Sequence, residues 1–408
     1  MECYGRDLYE HIQAVALTMT DKIRILQVNK FYHPVTGGVE RVVQQIAEGL
    51  NDNVEMTVLA CQKKGPGINE KINNVRVIKS GSFGTYFSMP VSFSFLRDFS
   101  RLSRNADIVH IHMPFPLADV AVFLSGYRGK VVLWWHSDVV KQKKLLMLYR
   151  PFLAWLLKRA DLIVAATEGH IQDSAFISSC KDKCTVIPYG VDRHIMELSD
   201  QISPARSGKN SEPCSIIYIG RLVYYKGCDV LLEAFSKVSK ARLTIVGDGP
   251  LRASLVKKAE DLQISSKVDF ISFLDDSALA EKMAECDLLV LPSVEKSEAF
   301  GLVQIEAMAF GKPVINTDLP GGAPMVSLDG ITGLTVPPND PEALATAIQR
   351  IIDEPELRER FGKAAYKRAR EEFSMDKMLS SLLTEYKKLI PLPSFPHDFE
   401  RETSGLKS

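Results

Sequence analysis

Two glutamates stand eight residues apart in Ser293-Val294-Glu295-Lys296-Ser297-Glu298-Ala299-Phe300-Gly301-Leu302-Val303-Gln304-Ile305-Glu306, just after the apolar run Leu288-Leu289-Val290-Leu291. The run reads as a buried strand, and Gly311 and Pro313 stop a helix expected from about Gly301 to Phe310. Glu298 then lies on the strand-to-helix loop and Glu306 in the helix's second turn. The backbone N–H groups of Phe300, Gly301, Leu302 and Val303 point out of the helix start, where the macrodipole favours an anion, and Gly301 lets a phosphate come close. This is a diphosphate seat flanked by two carboxylates. Glu306 lies among Leu302, Val303, Ala309 and Phe310, too apolar a setting for a bare carboxylate. A vicinal diol would suit it, because one carboxylate accepts from both hydroxyls. The plainer alternative is two ordinary acids at a helix terminus, where Glu is favoured.

Gly220-Arg221-Leu222 follows the apolar run Ile216 to Ile219, and Lys226-Gly227 opens the next helix. Arg offers a planar fork to phosphate oxygens and Lys a compact ammonium, so the pair could neutralise a diphosphate from two sides. A surface Arg and Lys near a helix start would look the same. Thr36-Gly37-Gly38-Val39-Glu40 lies between a strand and a helix, where paired glycines permit close approach but also serve any tight turn. Trp134-Trp135-His136-Ser137-Asp138 ends another strand, which would aim His136 at a cleft unless backbone groups satisfy it. Gly247-Asp248-Gly249-Pro250 lacks the third glycine of a dinucleotide fingerprint, so a nicotinamide cofactor is not indicated. The chain has no Asp-x-Asp, so no metal–diphosphate clamp is expected and cationic side chains would take its place.

The elements that must position these groups alternate short apolar runs with helical stretches. From Lys22 come strands Ile23 to Val28, Val54 to Ala60, Val75 to Ser80, Asp107 to His112 and Val131 to Trp135, with a helix from Gly38 to Leu50. A helix Lys144 to Arg159 and strands Leu162 to Ala166 and Cys184 to Pro188 follow. The second half repeats the pattern: strands Ser215 to Ile219, Arg242 to Val246, Val268 to Ile271, Val314 to Asn316 and Thr332 to Val336 alternate with helices Gly227 to Ser239, Pro250 to Leu262, Ser277 to Glu285 and Pro341 to Ile352. Continuous β-branched runs separated by helices mean parallel strands buried on both faces, hence an α/β protein of two doubly wound Rossmann-like domains facing a cleft.

The expected boundaries are a leader 1–20, an N-terminal domain 21–198, a Ser-, Pro- and Gly-rich linker 199–213, a C-terminal domain 214–373, a helix 374–390 and a flexible tail 391–408. A chain of 408 residues with 46% hydrophobic and 25% charged residues suits two cores. Fifty basic against fifty acidic residues give no nucleic-acid footprint. Seven scattered cysteines fit reduced cytoplasmic thiols, and Cys180 and Cys184 lack the second pair that zinc needs. Apolar runs are strand-sized, so no membrane span is expected, and residues 1–20 make a poor signal peptide.

The segment E-A-F-G-x-x-x-x-E together with G-R-L-x-x-x-K-G closely resembles the signature of the retaining nucleotide-sugar enzymes of glycosyltransferase family 4, and the resemblance to their GT-B architecture runs from Lys22 to about Ile390. It implies that Glu306 holds the donor ribose, that Glu298 contacts the transferred sugar and the helix-start loop, and that Arg221 and Lys226 neutralise the leaving diphosphate. It further implies that Gly37 and Gly38 approach donor and acceptor from the other domain, that Gly220 and Gly249 belong to turns around the nucleotide, that His136 touches the sugar and that the last helix crosses back to the N-terminal domain. Asp138 would be an acceptor-side contact. The family's front-face route, in which the departing diphosphate helps to take the acceptor proton, is the mechanism implied, with closure of the domains excluding water.

His136 to Gln142 and the helix after it resemble the O-antigen subset that uses GDP-mannose or a similar GDP-sugar. The partners implied are a nucleotide-sugar donor and a glycan or lipid-linked glycan acceptor, with no cofactor and no metal. Lys141 to Arg159, basic around Leu145, Leu148, Phe152 and Trp155, could rest on anionic lipid or could equally be a packed helix with a solvated edge. A UDP-sugar transferase, a nucleotide-sugar 2-epimerase and a catalytically silent binding protein remain as alternatives.

Overall fold

The computed structural model describes residues 22–390 apart from 36, 87–88, 139–142 and 203–212, with 143–148 described as backbone alone. The expected leader and tail, most of the expected linker, Thr36 and Val139 to Gln142 lie outside the described residues.

The strands, numbered in chain order, are β1 (Arg24–Val28), β2 (Glu55–Cys61), β3 (Ile68–Ile72), β4 (Val75–Ser80), β5 (Gly84–Tyr86), β6 (Met89–Val91), β7 (Ile108–Met113), β8 (Lys130–Trp135), β9 (Leu162–Ala165) and β10 (Cys184–Val186). After residues 203–212 come β11 (Cys214–Ile219), β12 (Ala241–Val246), β13 (Val268–Ile271), β14 (Leu288–Leu291), β15 (Val314–Thr317) and β16 (Gly333–Val336). The first sheet has the order β10-β9-β8-β7-β1-β2-β4-β3, the second β13-β12-β11-β14-β15-β16, and β5 and β6 form a separate hairpin. Every residue of β7 and of β14 is buried, as strands covered by helices on both faces must be.

The first sheet is not wholly parallel. β3 runs antiparallel to β4 through a two-residue turn in which Asn73 and Asn74 both take positive φ, 46° and 68°, the geometry of a tight hairpin. β3 is an edge strand with exposed residues, so the buried β-branched pattern of a parallel strand is missing from it.

In the first sheet β1 lies between β2 and β7, and in the second β11 lies between β12 and β14. Each sheet therefore reverses its winding beside one strand, and the crevices outside the carboxyl ends of β1 and β11 are where ligands of such sheets bind.

The helix Arg193–Ile202 runs past the boundary expected at 198, because Ile195 and Ser199 bury one of its faces. The last described helix, Met375–Leu389, packs on Gly38–Leu50, and the Tyr386 hydroxyl lies 2.6 Å from His110 Nδ1. Where the chain leaves the first sheet and where it returns, it lies side by side: Val191 N–H donates to the Phe373 carbonyl at 2.8 Å, and Val191 and Ser374 form a parallel bridge. Phe300 meets Tyr189 edge-on at 4.9 Å and Phe373 at 5.9 Å, so one apolar cluster runs from sheet to sheet. Among the described residues no helix is long and apolar enough to cross a membrane.

Candidate active site

The helix after β14 spans Leu302–Ala309, and its N-cap Gly301 has φ 72°. A Cβ there would meet Leu291 Cδ2 at 2.6 Å and Gln304 Nε2 at 2.9 Å, so only glycine fits; the Gln304 N–H turns back to the Gly301 carbonyl at 2.8 Å, while the Leu302 and Val303 N–H groups have no partner among the described residues. Phe300 is buried, whereas Leu302 and Val303 are half-buried. Across the gap stands the glycine pair: Gly37 caps the helix Gly38–Leu50, and the Cβ position of Gly38 is 3.5 Å from Leu302 Cδ1.

Glu298 is buried beside this helix start. Lys226 Nζ donates to its Oε2 at 2.5 Å and the Ser293 hydroxyl donates to the same oxygen at 2.9 Å. Lys226 reaches it because the short turn Tyr224–Lys226 ends on Gly227, φ 65°, whose missing side chain lets the backbone lie against the Pro292 carbonyl. A Cβ on Gly227 would stand 1.9 Å from that oxygen. Arg221, exposed at the end of β11, makes no ion pair among the described residues. The Gly220 and Gly249 turns abut through Leu222, whose N–H donates to the Asp248 carbonyl at 2.9 Å.

Glu306 has a partner that the sequence reading did not supply. Arg41 of the N-terminal domain approaches Glu306 Oε1 at 3.4 Å, Asp276 at 3.1 Å and Asp192 at 4.0 Å. Burial pushes the Glu306 carboxyl above its usual range, and the Arg41 guanidinium pulls it back. One signal for Arg41 was present in the sequence: a cation in the first turns of a helix opposes the macrodipole, so it calls for a carboxylate elsewhere.

His136 is held at both of its ring nitrogens. Its ring is buried at 5% exposure and both nitrogens are occupied, Nδ1 by the Tyr189 hydroxyl at 2.6 Å and Nε2 by His112 Nδ1 at 2.8 Å. His112 Nε2 in turn lies 2.8 Å from the Gln27 amide nitrogen, which also donates to the Val43 carbonyl at 3.1 Å. That carbonyl orients the amide as a donor, so His112 accepts at Nε2 and carries its proton on Nδ1. His136 then accepts at Nε2 and donates from Nδ1 to Tyr189. Desolvation holds both imidazoles well below their usual pKa, which keeps the chain neutral. The His136 side chain is thus tied into a buried chain of polar groups that runs from Gln27 to Tyr189. The residues Gln27, His112 and Tyr189 sit in three distant segments, and nothing local in the sequence links them.

Asp138 is likewise committed. Its Oδ1 accepts from Trp135 Nε1 at 2.9 Å and from the Ser174 hydroxyl at 2.6 Å, and its Oδ2 from the Ala175 N–H at 3.0 Å. It clamps the 174–175 turn to the end of β8. Among the described residues no cluster of three or more His, Cys, Asp or Glu could hold a metal ion.

Two doubly wound sheets that face each other, one with a glycine-capped helix start beside the Lys226–Glu298 pair at its strand ends, make the GT-B architecture of glycosyltransferases. Residues 36–194 match the family described as Glycosyltransferase Family 4, and residues 199–368 that described as Glycosyl transferases group 1. O-antigen chain mannosyltransferase C of Escherichia coli is 31% identical over 376 residues, 90% of this chain and 99% of the relative. D-rhamnosyltransferase WbpZ of Pseudomonas aeruginosa is also 31% identical, over 86% of this chain and 92% of its own. The solved structure of Anabaena HepE in complex with UDP has a TM-score of 0.72 at 20% identity, covering 90% of this chain and 100% of that one, a likeness of fold. The chain belongs to the family 4, group 1 glycosyltransferases and is a hexosyltransferase.

Proposed function

We propose that this enzyme moves a manno-configured hexose, mannose from GDP-mannose in the first instance, to a hydroxyl of a lipid-linked or polysaccharide acceptor in O-antigen-type assembly, with retention at the anomeric carbon. The observation that carries the donor site is the Lys226–Glu298 pair laid beside the open start of helix Leu302–Ala309. Cation, helix start and carboxylate converge where a diphosphate and its sugar would lie. The sugar is supported by the two relatives named above. D-rhamnose is 6-deoxy-D-mannose, so a mannosyl- and a D-rhamnosyltransferase share the ring configuration and differ at C6.

In this reading the ribose diol replaces Arg41 at Glu306. Arg221 and Lys226 neutralise the charge that grows on the diphosphate as the C1–O bond breaks. The acceptor oxygen bonds to C1 on the face the diphosphate leaves, and its proton passes to a phosphate oxygen. Because cationic side chains supply this charge, transfer is expected to persist in excess EDTA, and complete loss restored by magnesium would overturn that part.

Acceptors on lipid carriers place the enzyme at the cytoplasmic membrane face. Phe123, 50% exposed, meets Phe152 and Trp155 with ring centroids at 5.8 and 5.1 Å; its chain neighbour Leu124 is 64% exposed, and Arg150 and Lys158, on the helix that carries Phe152 and Trp155, are exposed. That patch suits anionic lipid. Arg159 does not join it, being paired with Asp161 at 3.0 Å. Incubation with GDP-mannose, GDP-D-rhamnose and UDP-glucose, with and without octyl glycosides or a lipid extract, tests the reading. A glycosylated acceptor of unchanged anomeric configuration supports it; an epimerised sugar or binding without turnover overturns it.

A further inference from the structure

Lys30 stands two residues beyond β1, on the N-terminal wall of the crevice outside that strand's carboxyl end. Its backbone is fixed. The Cys61 N–H donates to the Lys30 carbonyl at 2.9 Å, the Asn29 side-chain amide to the Phe31 carbonyl at 2.8 Å and Lys79 Nζ to the His33 carbonyl at 2.6 Å. Its side chain is half-buried and has neither a hydrogen bond nor an ion pair among the described residues. Among those residues every other buried or half-buried lysine donates to a carboxylate or a carbonyl oxygen. An ammonium taken partly out of water without a partner is costly, so this one calls for an anion.

Resting on the donor site proposed above, we infer that Lys30 is a further catalytic residue, a cation of the N-terminal domain that binds the sugar-bearing phosphate of the donor opposite the start of helix Leu302–Ala309. The loop that begins at Lys30 reaches that helix start, because the Cβ position of Gly38 is 3.5 Å from Leu302 Cδ1. Burial pulls the Lys30 ammonium below its ordinary pKa, and the Glu40 carboxylate, in the first turn of the helix Gly38–Leu50, pulls it back. His136, kept neutral chiefly by burial, also feels the Lys30 charge. Lys30 therefore lies within electrostatic reach of the glycine loop and of the end of β8. Glu40 does not close an ion pair with it, since its carboxylate folds back over Gly37, where the macrodipole favours an acid. Arg221, Lys226 and the helix start all belong to the C-terminal domain, so a cation on the opposite wall completes the ring of positive charge around the diphosphate. An arriving phosphate favours the charged form of Lys30. As the C1–O bond breaks, its electron pair stays on the phosphate oxygen, and Lys30 offsets that charge without giving up a proton.

The test uses the full chain and calorimetry with GDP and GMP, which differ by the terminal phosphate alone, or with UDP and UMP should the wild type prefer them. Lys30→Met, similar in length and uncharged, should weaken the diphosphate about 10-fold or more while the monophosphate stays within about twofold, and should lower saturated turnover. Lys30→Arg, which returns the charge, should recover much of the diphosphate affinity. Because the native ammonium has no partner to lose, Lys30→Met should melt no lower than the wild type. Equal weakening of both nucleotides, an unchanged diphosphate affinity or a melting temperature lower by several degrees overturns the inference and leaves the donor reading intact. A raised KM for a lipid-linked acceptor with diphosphate affinity unmoved also overturns it, by giving Lys30 to a phosphate of the acceptor. A wild-type chain that binds no nucleoside diphosphate sinks both.

Discussion

Glu298 and Glu306 differ in what holds them when the cleft is empty, and the difference sets what each substitution should do. Among the described residues Glu306 has Arg41 as its ion-pair partner, and in the proposed reading it exchanges that partner for a ribose diol, a contact present before and during reaction. Glu306→Ala should therefore weaken GDP about 30-fold or more while leaving saturated turnover little changed. Glu298 is fixed by Lys226 and Ser293, beside the position proposed for the transferred sugar. Glu298→Gln keeps the shape and removes charge near the developing oxocarbenium centre, so turnover should fall about 100-fold with GDP affinity roughly constant. Calorimetry with GDP and steady-state rates on both variants decide this, and the opposite pairing of effects would reverse the roles. Asp138, in contrast, is a clamp. Asp138→Ala leaves Trp135 and Ser174 without their acceptor, and a stability loss of about 1–3 kcal/mol should appear in a urea melt with the acceptor KM unmoved. At this scale the sequence showed which residues stand at strand ends, because a motif and its loop are local. It did not show Arg41 against Glu306 or His112 against His136, since those partners are joined only by the packing of separate strands.

The turn that delivers Lys226 is a test at the level of elements. Gly227→Ala puts a side chain at positive φ and into the Pro292 carbonyl, so it should cost about 3 kcal/mol or more and displace Lys226. Gly330 has a similar φ of 67° but open space around it, and Gly330→Ala should cost only about 1 kcal/mol. Comparable losses in thermal melts of the two variants would show that the close approach is not what requires glycine at 227. Most of the buried strands were legible to within a residue or two, β13 wholly so, because a continuous apolar run bounded by turns has few other readings. The helix Pro355–Glu372 was not legible. Its buried stripe of Leu357, Phe361, Ala365 and Ala369 is spread through a strongly charged sequence with two small members, and its apolar signal is weak. β3 escaped for a related reason, being an exposed edge strand, although Asn73-Asn74 was a hairpin signal in plain view.

Across the whole molecule, four buried histidines make stability depend on pH. His110 is held at about 3 and His170 at about 4, and His112 and His136 lie well below the usual value, all chiefly through desolvation. Below pH 6.5 the unfolded chain takes up protons that the native chain refuses, so the stability these rings contribute is complete above that pH and is lost on acidification. His110 alone accounts for about 2 kcal/mol between pH 7 and pH 5. The melting temperature should fall over that interval, and His110→Phe should fall less steeply. Identical slopes for the two proteins would mean that His110 is not kept neutral.

The chain passes between the sheets twice, at Gly190 to Asp192 and at Phe373 to Met375, and the two passages are bonded to one another. Two passages side by side restrain the sheets most where they cross, which favours a swing of one sheet against the other about the line through them. Displacement in a swing grows with the lever arm. Phe300 rests on both Tyr189 and Phe373, next to that axis, so in such a swing the adjoining helix start at Gly301 would travel least. A nucleotide seated there can stay in place while the far rim of the molecule opens to exchange one acceptor for the next.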